Sequence, residues 1–155
     1  MDKKAIIYAS YHHNNTYELF NEVLLESDCE RFNILRNETK NLDLNNYDTI
    51  IFASGIYFMK MHKAILKYIQ TNKELLKDKK LGVIITAGMK PKQFARRTSR
   101  YFKSLGLEDF PIFACHGFDT YGPLKLIGGA NKGRPNEKDK EDLERFLRDN
   151  KILWD

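Results

Sequence analysis

Residues 10–16 read Ser-Tyr-His-His-Asn-Asn-Thr, a short run of hydroxyl and amide side chains containing no lysine. The run follows an apolar, largely β-branched segment, Ala5-Ile6-Ile7-Tyr8-Ala9. It precedes Leu19, Phe20, Val23 and Leu24, which recur at helical spacing over Thr16–Ser27. A strand that passes through such a loop into a helix predicts an anion site. The first N–H groups of the helix lack partners, and the positive end of its dipole favours negative charge. With no lysine in the loop, a phosphate there is held mostly by neutral donors. That suits a monophosphate on a bound cofactor better than a triphosphate being cleaved.

Three further loops carry an unusual content. Ser54-Gly55-Ile56-Tyr57-Phe58-Met59 sets glycine beside aromatics where a solvated turn would be polar. Thr86-Ala87-Gly88-Met89 is small and neutral. The stretch from Cys115 and His116 through Gly117, Phe118, Asp119, Thr120, Tyr121 and Gly122 to Pro123 again mixes glycine with aromatics. Glycine lets backbone come close to a flat ligand, and aromatic and methionine side chains supply apolar walls. Taken singly, Tyr57, Phe58 and Met59 read equally as packing under the next helix, and Phe118 and Tyr121 as bracing a long loop. Together with the phosphate loop, the set points to a planar cofactor with a phosphate tail.

The elements that must position these loops are legible as short apolar runs. Arg31–Leu35, Thr49–Ala53, Leu81–Thr86 and Pro111–Cys115 resemble the first run, and most show little polar alternation, as strands buried on both faces do. Helical patterns lie over Met61–Leu76, Pro91–Leu105 and Asn136–Asn150. Pro91 suits a first helical position, and Asn136 with Asp139 three residues later suits a capped start. Residues 37–46 are rich in asparagine and predict a turn or a stub of helix. Strands alternating with helices predict an α/β fold, a doubly wound five-stranded parallel sheet of order 2-1-3-4-5 in one domain spanning 1–155. In that order the informative loops collect at the carboxyl edge, and the crevice lies between the first and third strands.

The 155 residues carry a formal charge of +5, with 42% hydrophobic and 30% charged residues. No apolar run reaches the ~18 residues of a membrane span, and the N-terminus does not read as a secretory signal. Cys29 and Cys115 are far apart with no CxxC, consistent with reduced thiols in a cytoplasmic protein. The positive charge suits acidic partners; nucleic acid is not expected from it alone. His12, His13, His62 and His116 fall in carboxyl-edge loops or at a helix start. No cysteine or carboxylate cluster completes a metal shell around them, so hydrogen bonding of His12 or His13 to a phosphate, or solvation, is the better reading. GxGxxG after the first strand and GxxxxGK[ST] are both absent. Ser10 and Ser54 stand where a phospho-accepting receiver domain needs acids. Lys92, Arg96, Arg100 and Lys103 share one face of helix 91–105, either a solvated face or a docking surface for an acidic partner.

On these residues the chain resembles the flavodoxin family over nearly its whole length. Ser10, Asn14, Asn15 and Thr16 match the family's FMN-phosphate loop, Ser54-Gly55-Ile56-Tyr57 its first flavin loop and Thr86-Ala87-Gly88 its second. Gly117–Pro123 is similar to a stretch in flavodoxin-like proteins with an extended fifth loop. His13-Asn14 stands where the family commonly has Thr-Gly, and the chain is basic where flavodoxins are typically acidic. The resemblance implies non-covalent FMN and electron exchange with redox partner proteins, a reductase and an acceptor. It implies cofactor contacts from Ser10, His12, Asn14, Asn15, Thr16, Ser54, Gly55, Ile56, Tyr57, Thr86, Ala87, Gly88 and Tyr121, with Tyr57 and Tyr121 covering the flavin ring. The alternative it leaves open is a flavin-dependent oxidoreductase acting on a quinone or porphyrin, with the 117–134 loop as a substrate wall.

Overall fold

The computed structural model describes residues 2–11, 15–117, 129 and 131–154. Five parallel strands form its centre: β1 (Lys4–Ala9), β2 (Glu30–Asn33), β3 (Thr49–Tyr57), β5 (Lys80–Ala87) and β6 (Ile112–His116). They lie in the order β2-β1-β3-β5-β6, and a two-residue β4 (Lys60–Met61) pairs antiparallel with the end of β3. Allowing for β4, this is the order expected from the sequence, and β1 and β3 flank the point where it reverses. Register runs from Lys4 opposite Thr49 to Ala9 opposite Ser54, so β1 stops level with the middle of β3.

The pleat sends alternate side chains of each strand to opposite layers. Ala5, Ile7, Ile50, Phe52, Val83 and Ile85 face one core. It is closed by Ile65 and Ile69 of α2 (Lys63–Thr71), Leu76 of α3 (Lys73–Leu76) and Phe102 of α4 (Pro91–Ser104). Ile6, Tyr8, Ile51, Ala53 and Ile84 face the other. There Leu19 and Phe20 of α1 (Asn15–Asn21) meet Leu143 and Leu147 of α5 (Glu137–Asp149). The capping box read in the sequence is present: Asn136 accepts from the Asp139 N–H at 3.0 Å, and Asp139 accepts from the Asn136 N–H at 2.8 Å. Pro91 occupies the first turn of α4.

Several boundaries differ from expectation. The helix read over Thr16–Ser27 is regular only over Asn15–Asn21; turns carry the chain onward, yet Leu24 is still buried. The helix read over Met61–Leu76 breaks at Asn72, which ends α2 and precedes α3. Residues 37–46 agree with expectation: they hold turns and a 3-10 stub at Leu44–Asn46, after a 3-10 turn at Ile34–Arg36. The largest departure is at residues 54–60. These were expected to form a loop, but β3 continues to Tyr57 and turns back at Phe58-Met59 into β4. Gly55 still has a parallel partner, Thr86, which holds the polar Ser-Gly pair in the sheet.

Candidate functional site

The loop after β1 is tied to its helix and to the end of β5. Ser10 accepts the Tyr17 N–H through its hydroxyl at 3.3 Å, satisfying one of the orphan donors of α1. Thr16 is 2% exposed, and its hydroxyl lies 3.1 Å from that of Thr86. A pair of hydroxyls shares one hydrogen bond but owns two protons, so the pair retains one proton for a further acceptor. Asn15 packs on Gly117 so closely that a Cβ on Gly117 would lie 2.7 Å from Asn15 Nδ2. Gly117 donates its N–H to the Ala87 carbonyl at 3.0 Å, and Asn131 Nδ2 donates to the carbonyls of Gly88 (2.6 Å) and Gly117 (3.2 Å). The fold therefore brings Ser10, Asn15, Thr16, Thr86, Ala87 and Gly88 to one corner of the carboxyl edge. His12, Asn14 and Tyr121, with His13 and Phe118–Pro123, lie outside the described residues.

Asn131 was missed by sequence reasoning. The available signal was an asparagine in a glycine-rich stretch, a residue type that tolerates left-handed backbone; Asn131 has φ 58° and Gly129 has φ 96°.

Beside this corner stands an aromatic wall. The Tyr11 and Tyr57 ring centroids are 5.5 Å apart, and both rings meet the His62 ring nearly at right angles, at 5.6 and 5.3 Å. His62 caps α2: its Nδ1 accepts the Ala64 N–H at 3.0 Å. An accepting Nδ1 carries no proton, so the neutral ring carries it on Nε2, which donates to the Tyr11 oxygen at 3.1 Å. Burial, then the charge of Lys63, holds the His62 pKa below its ordinary value. Burial, then nearby Tyr11, pushes Tyr57 up to about 12. Both shifts favour the uncharged forms of His62 and Tyr57.

Ser54 is fully buried and works inward, accepting the His62 N–H at 2.9 Å and donating to the Gly55 carbonyl at 2.6 Å. It positions His62, and its side chain offers nothing to a ligand from outside. Gly55 leaves room for the Tyr57 ring to fold back, since a Cβ there would sit 3.3 Å from it. Ile56 pairs with Met61 across the ribbon.

At the ribbon's tip Phe58 and Met59 have φ of 50° and 73°. Two consecutive left-handed residues make the hairpin turn that asparagine and glycine favour. An L-residue in that region costs roughly 1–2 kcal/mol. Phe58 is nonetheless 86% exposed and Met59 57% exposed.

A separate cavity of about 360 Å³ opens beside β6, lined by Lys90, Pro91, Cys115, His116, Arg134 and Asp139. Arg134 grips Asp139 with two hydrogen bonds of 2.6 Å. Burial opposes ionisation of Asp139, but Arg134, the Asn136 N–H and His116 together hold its carboxyl below the ordinary value. Burial pushes the Cys115 and Cys29 thiols up to about 12, so neither is a thiolate at neutral pH. Trp154 stacks under the Arg148 guanidinium at 4.7 Å. Among the described residues no histidine, cysteine and carboxylate group forms a metal-binding cluster, and no helix is long and apolar enough to cross a membrane.

A family profile described as a flavodoxin domain matches residues 5–116. An uncharacterized protein of Methanocaldococcus jannaschii is 36% identical over 148 residues, covering 94% of this chain and 96% of that protein. The Fusobacterium nucleatum flavodoxin bound to flavin mononucleotide superposes with a TM-score of 0.59 at 15% identity, covering 96% of this chain and 98% of that one. The apo form of an NADH:FMN oxidoreductase gives the same TM-score and identity, covering 98% and 89%. At such identities the two solved structures show a shared fold.

Proposed function

The chain belongs to the flavodoxin domain family, and from that membership we propose that it is an FMN-binding electron-transfer protein. The observation that carries this reading is the corner where Ser10, Asn15, Thr16 and Thr86 meet at the start of α1, next to the Tyr11–Tyr57 wall. The donor set fits a phosphate monoester. It is neutral, it is held in place before any ligand arrives, and the Thr16–Thr86 pair has a proton to give. Hydrogen bonds to a dianion are strong even from neutral donors, and no paired cation must first be desolvated.

In this reading Ser10, Asn15 and Thr16 hold the phosphate, with His12 and Asn14 of the same loop. Gly55 and Ile56 present backbone to the ring edge, and Thr86, Ala87 and Gly88 line its other side. Tyr57 and Tyr121 cover the ring faces and exclude water. Ser54 acts through His62. FMN, when bound, supplies one- or two-electron exchange; the chain binds it, orients it and sets its surroundings. Helix 91–105 offers cations to an acidic redox partner, and a reductase and an acceptor complete the electron path.

Protein incubated with excess FMN and desalted should retain close to one equivalent by its visible spectrum; retention of none refutes the reading. Oxidation of NADPH with a quinone acceptor and no added reductase would instead mark the chain as an FMN-dependent oxidoreductase on a quinone or porphyrin. Transfer only through a separate reductase marks the carrier.

A further inference from the structure

The two helical layers carry opposite kinds of charge. In the α1–α5 layer the cations are matched: Lys138 pairs with Asp142, Lys140 with Glu22 and Glu137, Arg145 with Asp142, and Arg148 with Glu144. The α2–α4 layer is built otherwise. Residues 49–73 contain Lys60, Lys63, Lys67 and Lys73 and no carboxylate. Helix α4 carries Lys92, Arg96, Arg97, Arg100 and Lys103 and no carboxylate, all five exposed. Among the described residues none of these five has an ion-pair partner.

The β3–β4 ribbon abuts both α2 and α4, so its tip stands at the margin of this basic layer. The tip is where the chain holds a phenylalanine and a methionine in left-handed backbone and turns both to solvent. Asparagine and glycine would relieve the backbone and expose nothing apolar. Strain kept at an exposed apolar turn marks a position retained for what it touches. Met89, 59% exposed, and Tyr11, 41% exposed, lie on the neighbouring carboxyl-edge loops.

We propose that the Phe58-Met59 turn and the basic α2–α4 layer form one docking surface for a partner protein whose acidic rim surrounds an apolar pocket. Aromatic residues, methionine and arginine are the types enriched at protein interfaces, with apolar groups at the centre and charge at the rim. A phosphate backbone would use the cations and leave the apolar turn idle. The proposal rests on the electron-transfer reading only for the kind of partner, a redox protein.

The test uses the FMN-incubated chain, an acidic two-iron ferredoxin as fluorescent probe, and two controls, basic cytochrome c and a single-stranded oligonucleotide. Ferredoxin should bind at low salt and weaken about tenfold as salt is raised through the physiological range, while cytochrome c does not bind. Arg96→Glu with Arg100→Glu should weaken ferredoxin binding about tenfold or more. Phe58→Asn with Met59→Gly should weaken ferredoxin binding severalfold and raise the thermal midpoint. Ferredoxin binding that is absent, or indifferent to both double variants, overturns the proposal. So does oligonucleotide binding as tight as ferredoxin binding and insensitive to the turn. Loss of FMN affinity in the turn variant would assign the turn to the cofactor site and overturn it too. A chain that takes up no FMN but still binds ferredoxin in a charge- and turn-dependent way refutes the flavin reading alone; one that takes up FMN and ignores ferredoxin refutes the docking surface alone.

Discussion

Gly117→Ala places a methyl group into the start of α1. The added Cβ would lie 2.7 Å from Asn15 Nδ2, 3.0 Å from its Cγ and 3.3 Å from its Cβ. Gly117 is not free to retreat, because its N–H is bonded to Ala87 and its carbonyl accepts from Asn131. The Asn15 side chain must therefore swing away or α1 must shift. Overpacking of this kind costs about 1–3 kcal/mol. If Asn15 also holds the phosphate, its loss removes a hydrogen bond to a charged group, about 1.5–3 kcal/mol or roughly ten- to a hundredfold in affinity. The assay is titration of FMN and of riboflavin, which lacks the phosphate, into the wild type, Gly117→Ala, Asn15→Ala and the double variant. Gly117→Ala should lose FMN affinity and spare riboflavin. Adding Asn15→Ala removes the Nδ2 and Cγ clashes, so the double variant should recover thermal stability without recovering FMN affinity. If FMN affinity returns along with stability, Asn15 serves packing alone and its assignment to the phosphate is refuted.

Thr16→Ala should also weaken FMN by about ten- to a hundredfold while leaving riboflavin nearly unchanged; equal effects on both ligands would show that Thr16 serves only the Thr86 contact. Asp139→Ala removes a capping acceptor and the Arg134 pair, and should cost roughly 2–3 kcal/mol after discounting for the partial exposure of Arg134, read by urea unfolding. The Asp139 pKa is depressed in the folded chain, so its contribution is present above the ordinary carboxylate value of 3.8 and is lost as pH falls through the folded value. Asp139→Asn should flatten that acid limb, and an unchanged limb would count against the pair. The His62 pKa is also depressed on folding, so its contribution is complete above the ordinary value of 6.5 and declines as pH falls toward the folded value. His62→Asn keeps a cap acceptor for the Ala64 N–H and should lose this pH dependence in thermal melts; a variant with the wild-type slope would refute the assignment of that dependence to His62.

The sheet order was legible because four of the five parallel strands are compact apolar runs with a helical repeat on at least one side. The Asn136–Asp139 cap and Pro91 were legible because both act on their own helix within one turn. What escaped was set by contacts between distant segments. Ser54 and Gly55 look like a loop by type, and it is the pairing of Ser54 with Ala9 and Ile85, of Gly55 with Thr86, and the return of β4 that make them strand. Tyr11, Tyr57 and His62 were visible as residues, but their shared wall joins positions 51 apart through one hydrogen bond. The inward use of Ser54 follows from His62 lying behind it, which no local pattern announces. Asn131 closes two loops through the carbonyls of Gly88 and Gly117, partners 43 and 14 residues away that no local pattern names.

The two border strands have a bearing on how the protein behaves when crowded. β2 has four residues and β6 five, against six, eight and nine for the three between them. Unpaired borders are where a second chain adds itself and where fibrils start. β2 offers few bonding positions and begins with Glu30 and Arg31; Pro111, which has no N–H to give, stands immediately before β6. Among the described residues the long hydrophobic strands are shut inside, and the ones left at the margin are short, β2 carrying two charges and β6 following a proline. A sheet shaped this way resists recruiting copies of itself even at high concentration.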